Sequence, residues 1–103
     1  MIHHLVLYKL KPQLAAAQLE EMMMQTRIQL LKIPDALHVR CGQRLNPENE
    51  WPFFVAVEFA SKERYAMFKE DPIYIKFLEE IVRRYTSEAQ VLDYETEPKR
   101  KYS

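Results

Sequence analysis

Ile2-His3-His4-Leu5-Val6-Leu7-Tyr8-Lys9-Leu10 is the stretch on which the fold turns. It is rich in β-branched and aromatic residues, which favour an extended strand. Side chains alternate across a strand, so His4, Val6 and Tyr8 share one face, and His3, Leu5, Leu7 and Lys9 share the other. Large apolar groups stand on both faces. A strand of that kind belongs inside a sheet that is covered on both sides. Pro12 ends the run, because it has no N–H to give to a neighbouring strand.

Outward from this strand the period changes. From Leu14 to Ile33 the residues Leu19, Met22, Met23, Thr26, Leu30 and Ile33 fall at helical spacing, and Pro34 forces an end. Residues 36–45 alternate again, with Leu37, Val39 and Cys41 opposed to His38, Arg40 and Gly42. Gly42, the sole glycine, is expected at a bulge or a close approach. Asn46 to Glu50 is a polar turn, and Phe53 to Phe59 is a third strand. Ser61 is placed to cap a short helix through Tyr65 and Phe68. Asp71-Pro72 opens another, with the stripe Ile73, Tyr74, Phe77, Leu78, Ile81 and Tyr85. Ala89 to Tyr94 reads as a fourth strand.

The order β, α, β, β, α, β predicts an α+β, ferredoxin-like βαββαβ sandwich with both helices on one face of the sheet. The other face is also apolar. A second copy stacked sheet on sheet is the economical cover, which predicts a homodimer, a dimeric α/β barrel. One domain over residues 1–95 and a polar tail over 96–103 are expected.

Composition narrows the function classes. The chain has 103 residues, enough for one domain. Lys+Arg and Asp+Glu both number 15, so the basic surplus of a nucleic-acid binder is missing, and no nucleic-acid partner is expected. No stretch approaches the ~20 apolar residues of a membrane-spanning helix. No secretory leader is expected either, since His3 and His4 stand where positive charge would and Lys9 breaks the apolar run. The single cysteine, Cys41, has no internal disulfide partner and fits a reducing, cytoplasmic setting. The three histidines show no metal-ligand spacing and one glycine cannot build a phosphate loop, so neither metal nor cofactor is expected.

His4 is the residue with the most chemistry. On an apolar strand face its imidazole serves either as a general base near neutral pH or as a half-buried, hydrogen-bonded core group. Cys41 on a strand face reads as an inert core thiol unless a base accompanies it. The Met22-Met23-Met24 run fills core gaps, and Trp51 beside Pro52 either packs on a sheet edge or meets a ligand.

Ile2 to Lys11 resembles the opening of the stress-responsive A/B barrel domain family. So do Ile33-Pro34 after a methionine-rich helix, Val57-Glu58-Phe59-Ala60-Ser61, and Val91-Leu92-Asp93-Tyr94-Glu95. The resemblance spans about residues 2–95. It implies a dimeric α+β barrel with a pocket between the sheet and helices of each subunit. Some plant members resemble polyketide cyclases that use a pair of histidines and a tyrosine. The first-strand histidine matches His4, and the pocket positions match Val6, Tyr8, Met23, Thr26 and Val55. The family's His-Pro-x-His segment reads Asp71-Pro72-Ile73-Tyr74 here, so the second histidine is replaced by Tyr74. The cyclase tyrosine one turn earlier is Phe68.

Two functions follow from the resemblance. One is a dimer that binds a small apolar molecule or a partner. The other is a cofactor-free enzyme for an aromatic or polyketide-like carbonyl compound, with His4 and Tyr74 hydrogen-bonded across one pocket. A metal-free monooxygenase of the related dimeric barrel type is a third reading, by fold analogy alone.

Overall fold

The computed structural model describes residues 1–96. It runs β1 (Ile2–Leu10), α1 (Ala16–Leu30), β2 (His38–Gln43), β3 (Phe53–Phe59), α2 (Lys62–Glu70) and α3 (Pro72–Phe77). A π-helical stretch, Leu78–Val82, and one closing α turn, Arg83–Tyr85, lead into β4 (Thr86–Glu95). The sheet order is β2-β3-β1-β4, and every neighbouring pair is antiparallel. This is the ferredoxin-like α+β fold, with β1 central as its two apolar faces require.

Register places the chemistry. Across from β1, His4 pairs with Val57, Val6 with Val55 and Tyr8 with Phe53. On its other edge His4 pairs with Asp93 and Val6 with Val91. Ile2, His4, Val6 and Tyr8 are buried beneath the helices together with Phe53, Val55, Val57 and Phe59. Met22, Thr26, Leu30 and Phe68 close this core from above. Burying a phenylalanine fully is worth roughly 1.5–3 kcal/mol, so Phe53, Phe59 and Phe68 are major contributors. The helices stop short of β4, where Val91 is 54% exposed on the same face as Val6. On the opposite face Leu5, Leu7, Phe54, Ala56 and Leu92 are half-buried and no helix covers them.

Several boundaries differ from the sequence reading. α1 ends at Leu30, not Ile33, because the next residues tighten into three-residue turns (Lys32 N–H to Gln29 O, 3.2 Å; Ile33 N–H to Leu30 O, 3.2 Å) before Pro34. β2 is shorter than 36–45, with single bonds from Leu37 and Arg44 continuing it at either end. β4 starts at Thr86 because the chain is already extended there and pairs with Leu10. The bulge lies between Lys9 and Leu10, not at Gly42. Gly42 is instead a close approach: a Cβ there would meet the Phe54 ring at 3.0 Å. Thr96 donates its N–H to Met1 O (2.9 Å), and the rest of the expected tail lies outside the described residues. Among the described residues no helix is long and apolar enough to cross a membrane.

Both expected caps form. Ser61 Oγ accepts from Arg64 N–H (3.2 Å), and Asp71 Oδ1 accepts from Ile73 N–H (2.8 Å) with Pro72 next in the chain. Asp71→Ala should therefore destabilise the fold by about 0.5–2 kcal/mol, read as a lowered urea midpoint with unchanged slope.

Candidate functional site: a carboxylate-held histidine under the helices

The site begins with register. Antiparallel pairing of β1 with β4 sets Asp93 beside His4 on the helix-facing side. His4 is 5% exposed, and its Nδ1 lies 2.6 Å from Asp93 Oδ1. An ionised carboxylate only accepts, so the proton sits on Nδ1 and His4 donates. From α2, Tyr65 donates its O–H to the other carboxylate oxygen, Oδ2 (2.8 Å), and its own oxygen lies 3.0 Å from His4 Nδ1. The three groups close a ring of hydrogen bonds.

This ring decides what the imidazole has left to offer. With Nδ1 protonated, Nε2 carries the lone pair. It is buried and has no hydrogen-bond partner among the described residues. A buried acceptor without a partner is uncommon and costly. The atom is thus held in the one tautomer that makes it an acceptor or a base.

Tyr74 does not bond to His4. Phe68, fully buried, touches both: its ring is 6.5 Å from His4 edge-on and 4.2 Å from Tyr74. The expected His4–Tyr74 bond is replaced by the His4–Asp93 bond because a full carboxylate beside the imidazole is the stronger partner. Tyr74 still belongs to the neighbourhood. Its phenol is pushed up to about 12, first by burial and then by the charge of Asp93. Burial also raises Tyr65, with Asp93 adding to it, and raises Tyr8, with Tyr74 adding to it. All three phenols stay protonated, and so remain donors, at neutral pH.

Of the expected pocket residues, Val6, Tyr8 and Val55 lie on the His4 face of the sheet, and Phe68 lies against His4 itself. Thr26 is buried, but its hydroxyl donates to Met22 O one turn back (2.7 Å) and is not offered to a ligand. Met23 sits over β2, two strands from His4, where its carbonyl lies 3.7 Å from Cys41 Sγ and its sulfur 3.6 Å from Gln43 Nε2. The structure thus separates Met23 from the site. Burial holds the Cys41 thiol above its usual range, so it stays protonated. Trp51 is half-buried with the Lys9 ammonium 5.0 Å over its ring. Among the described residues no group of three or more His, Cys, Asp or Glu is arranged to hold a metal ion.

Tyr65 and Asp93 are the residues the sequence reading missed. Asp93 was visible as the lone acid on a face shared with Ala89 and Val91, two residues apart each time. Tyr65 was visible as the residue one turn before Phe68 on the same helical stripe.

The raised Tyr74 has a pH signature. A group whose folded value lies above its unfolded one stabilises fully below the unfolded value, here 10.0, and loses that contribution as pH rises through the folded one, here about 12. Stability should fall between these values. An absorbance titration should show a phenolate step near the upper one that Tyr74→Phe removes.

The comparisons with known proteins agree with this architecture. A family model described as the stress responsive A/B barrel domain matches residues 2–96. A ferredoxin-like protein of that family from Mesorhizobium loti is similar with a TM-score of 0.83 at 19% identity, over 92% of this chain and 95% of that one. A dimeric ferredoxin-like protein of unknown function from Bacteroides fragilis is similar with a TM-score of 0.75 at 19% identity, over 92% and 95%. The hydroxynitrile lyase of Passiflora edulis is similar with a TM-score of 0.80 at 21% identity, over 94% and 96%. A search of the curated proteins finds no match. At these identities the structures speak for the fold, whereas the family model, matched from the first strand to the last, places this chain within the stress responsive A/B barrel domain family.

Proposed function

We propose that the protein is a cytoplasmic homodimer that binds a small, largely apolar molecule over His4, between sheet and helices, and that Nε2 of His4 is the polar contact. The observation that carries this reading is the buried, unpartnered Nε2. Asp93 and Tyr65 fix its lone pair, so the ligand must bring a donor: a hydroxyl, an enol, or a polarised C–H. Tyr74, a protonated phenol on the far side of Phe68, offers a donor to an acceptor elsewhere on the ligand. The uncovered face of β4 at Val91 is the approach. Entry requires Phe68 or Tyr74 to shift, because the rings fill the space around His4.

The dimer is supported by the uncovered apolar face of Leu5, Leu7, Phe54, Ala56 and Leu92, and by the dimeric Bacteroides neighbour. A stable pair buries at least ~1,200 Å² in total. The single cysteine supports a reducing compartment.

A second reading is enzymatic, favoured by the carboxylate behind the histidine. Asp93 stabilises the imidazolium that forms when Nε2 takes a proton, so His4 would serve as general base on a carbonyl compound, with Tyr74 polarising the oxygen. This pair differs from two histidines, since a phenol held near 12 donates readily but removes protons poorly.

Native mass spectrometry of freshly purified protein should show a dimer, and sedimentation at micromolar concentration should agree. A monomer there would sink the assembly. 2-Hydroxyacetophenone should shift the His4 imidazole ¹⁵N resonances saturably, and His4→Ala should weaken it roughly tenfold, the worth of one good hydrogen bond. Unmoved His4 resonances would refute the pocket. Exchange of the probe's methyl protons for solvent deuterium, lost in His4→Ala, would select the enzyme; saturable binding with no exchange would select the binder.

A further inference from the structure

We propose that the groove where β1 passes into α1, opposite the last helical turn, is a second small-molecule site, selective for a carboxylate carried on an apolar body, with Lys11 and Arg84 as its cations. The groove has a volume of about 460 Å³. That lies within the ~300–1,000 Å³ common for ligand sites. Lys11, Arg84 and Gln13 form its polar part, and Pro12, Leu14 and Tyr85 its apolar part.

Charge gives the class of ligand. No carboxylate lines the groove. Elsewhere the chain pairs its cations, as in Lys9–Glu88, Lys62–Glu95 and Arg64–Asp35. Lys11 and Arg84 form no such pair among the described residues. A planar guanidinium beside an ammonium suits a carboxylate, which accepts two parallel bonds from the first and a point charge from the second.

The groove is also held in shape. Lys11 N–H donates to Tyr85 O (3.0 Å), tying the end of β1 to the last helical turn. Leu14 N–H donates to Lys11 O (3.2 Å), closing the turn that carries Lys11. The Arg84 guanidinium lies 5.5 Å from the Tyr85 ring centre, which restrains its rotamers. Tyr85 is buried against the core, so the apolar wall is fixed. Lys11 stands seven residues along β1 from His4, roughly 23 Å at strand rise. The two sites are independent, and this one does not rest on the His4 reading.

The test titrates the ¹⁵N-labelled full chain with octanoate, 1-octanol and inorganic phosphate. Octanoate should shift the amides of Leu14, Gln18, Arg84 and Tyr85 saturably, at least tenfold tighter than either control. Lys11→Gln with Arg84→Gln should reduce octanoate affinity at least tenfold, and Arg84→Lys should restore part of it. Both positions are exposed, and unchanged melting temperatures will show that the variants fold. The proposal is overturned if 1-octanol binds as well as octanoate, if phosphate does, if the double glutamine variant keeps its affinity, or if the shifts gather at His4 and Asp93.

Discussion

A strand that is paired along both edges and apolar on both faces has no surface left for water, and β1 is such a strand. It takes hydrogen bonds from β3 on one side and β4 on the other. Its helix-facing residues need α1, α2 and α3 above them. Its other residues, Leu5 and Leu7, need something beneath. Most of the molecule is arranged to meet this demand. The connection through α1 returns the chain on the helix side, the β2–β3 hairpin extends the sheet, and the second helical segment brings the chain back to the free edge of β1.

The site follows from the same strand. His4 occupies a position that packing would give to a valine or an isoleucine. A buried imidazole needs a partner, and the neighbouring strand supplies one through register alone. Asp93 lies half outside the helical cover, so the carboxylate stays hydrated enough to remain ionised while reaching a buried ring. Tyr65 then ties the carboxylate to α2, so strand and helix hold the imidazole together. The result is a rigid group with one unused lone pair, facing the aromatic rings of Phe68 and, beyond it, Tyr74.

The fold was legible because its signals are local and periodic. The alternation in β1 and β3, the helical stripe from Leu19 to Leu30, and the caps at Ser61 and Asp71 each depend on a few neighbouring residues. His4 was legible too, as a polar side chain on an apolar face. Its partners were not. Asp93 meets His4 only when the pairing of β1 with β4 is known, and that pairing joins residues 89 positions apart. Met23 and Tyr74 were assigned by resemblance, and the structure shows what resemblance does not carry: Met23 lies over another strand, and Phe68 separates Tyr74 from the imidazole. The π-helical stretch was also hidden, because its residues, Leu78 to Val82, look like an ordinary amphipathic run.

That stretch has an effect on how the chain tolerates changes in length. A π turn holds one residue more than the α turn it interrupts, and the surplus is absorbed without shifting either end. Deleting any one residue between Leu78 and Val82 would restore regular α-helix and rotate everything after it by about 100°. Tyr85 would swing out of the core, its carbonyl would leave the Lys11 amide, and β4 would enter the sheet one residue out of step. Because side chains alternate, that step would turn Asp93 to the opposite face and leave His4 alone. A single codon lost in a helix would thus undo a hydrogen bond on a strand.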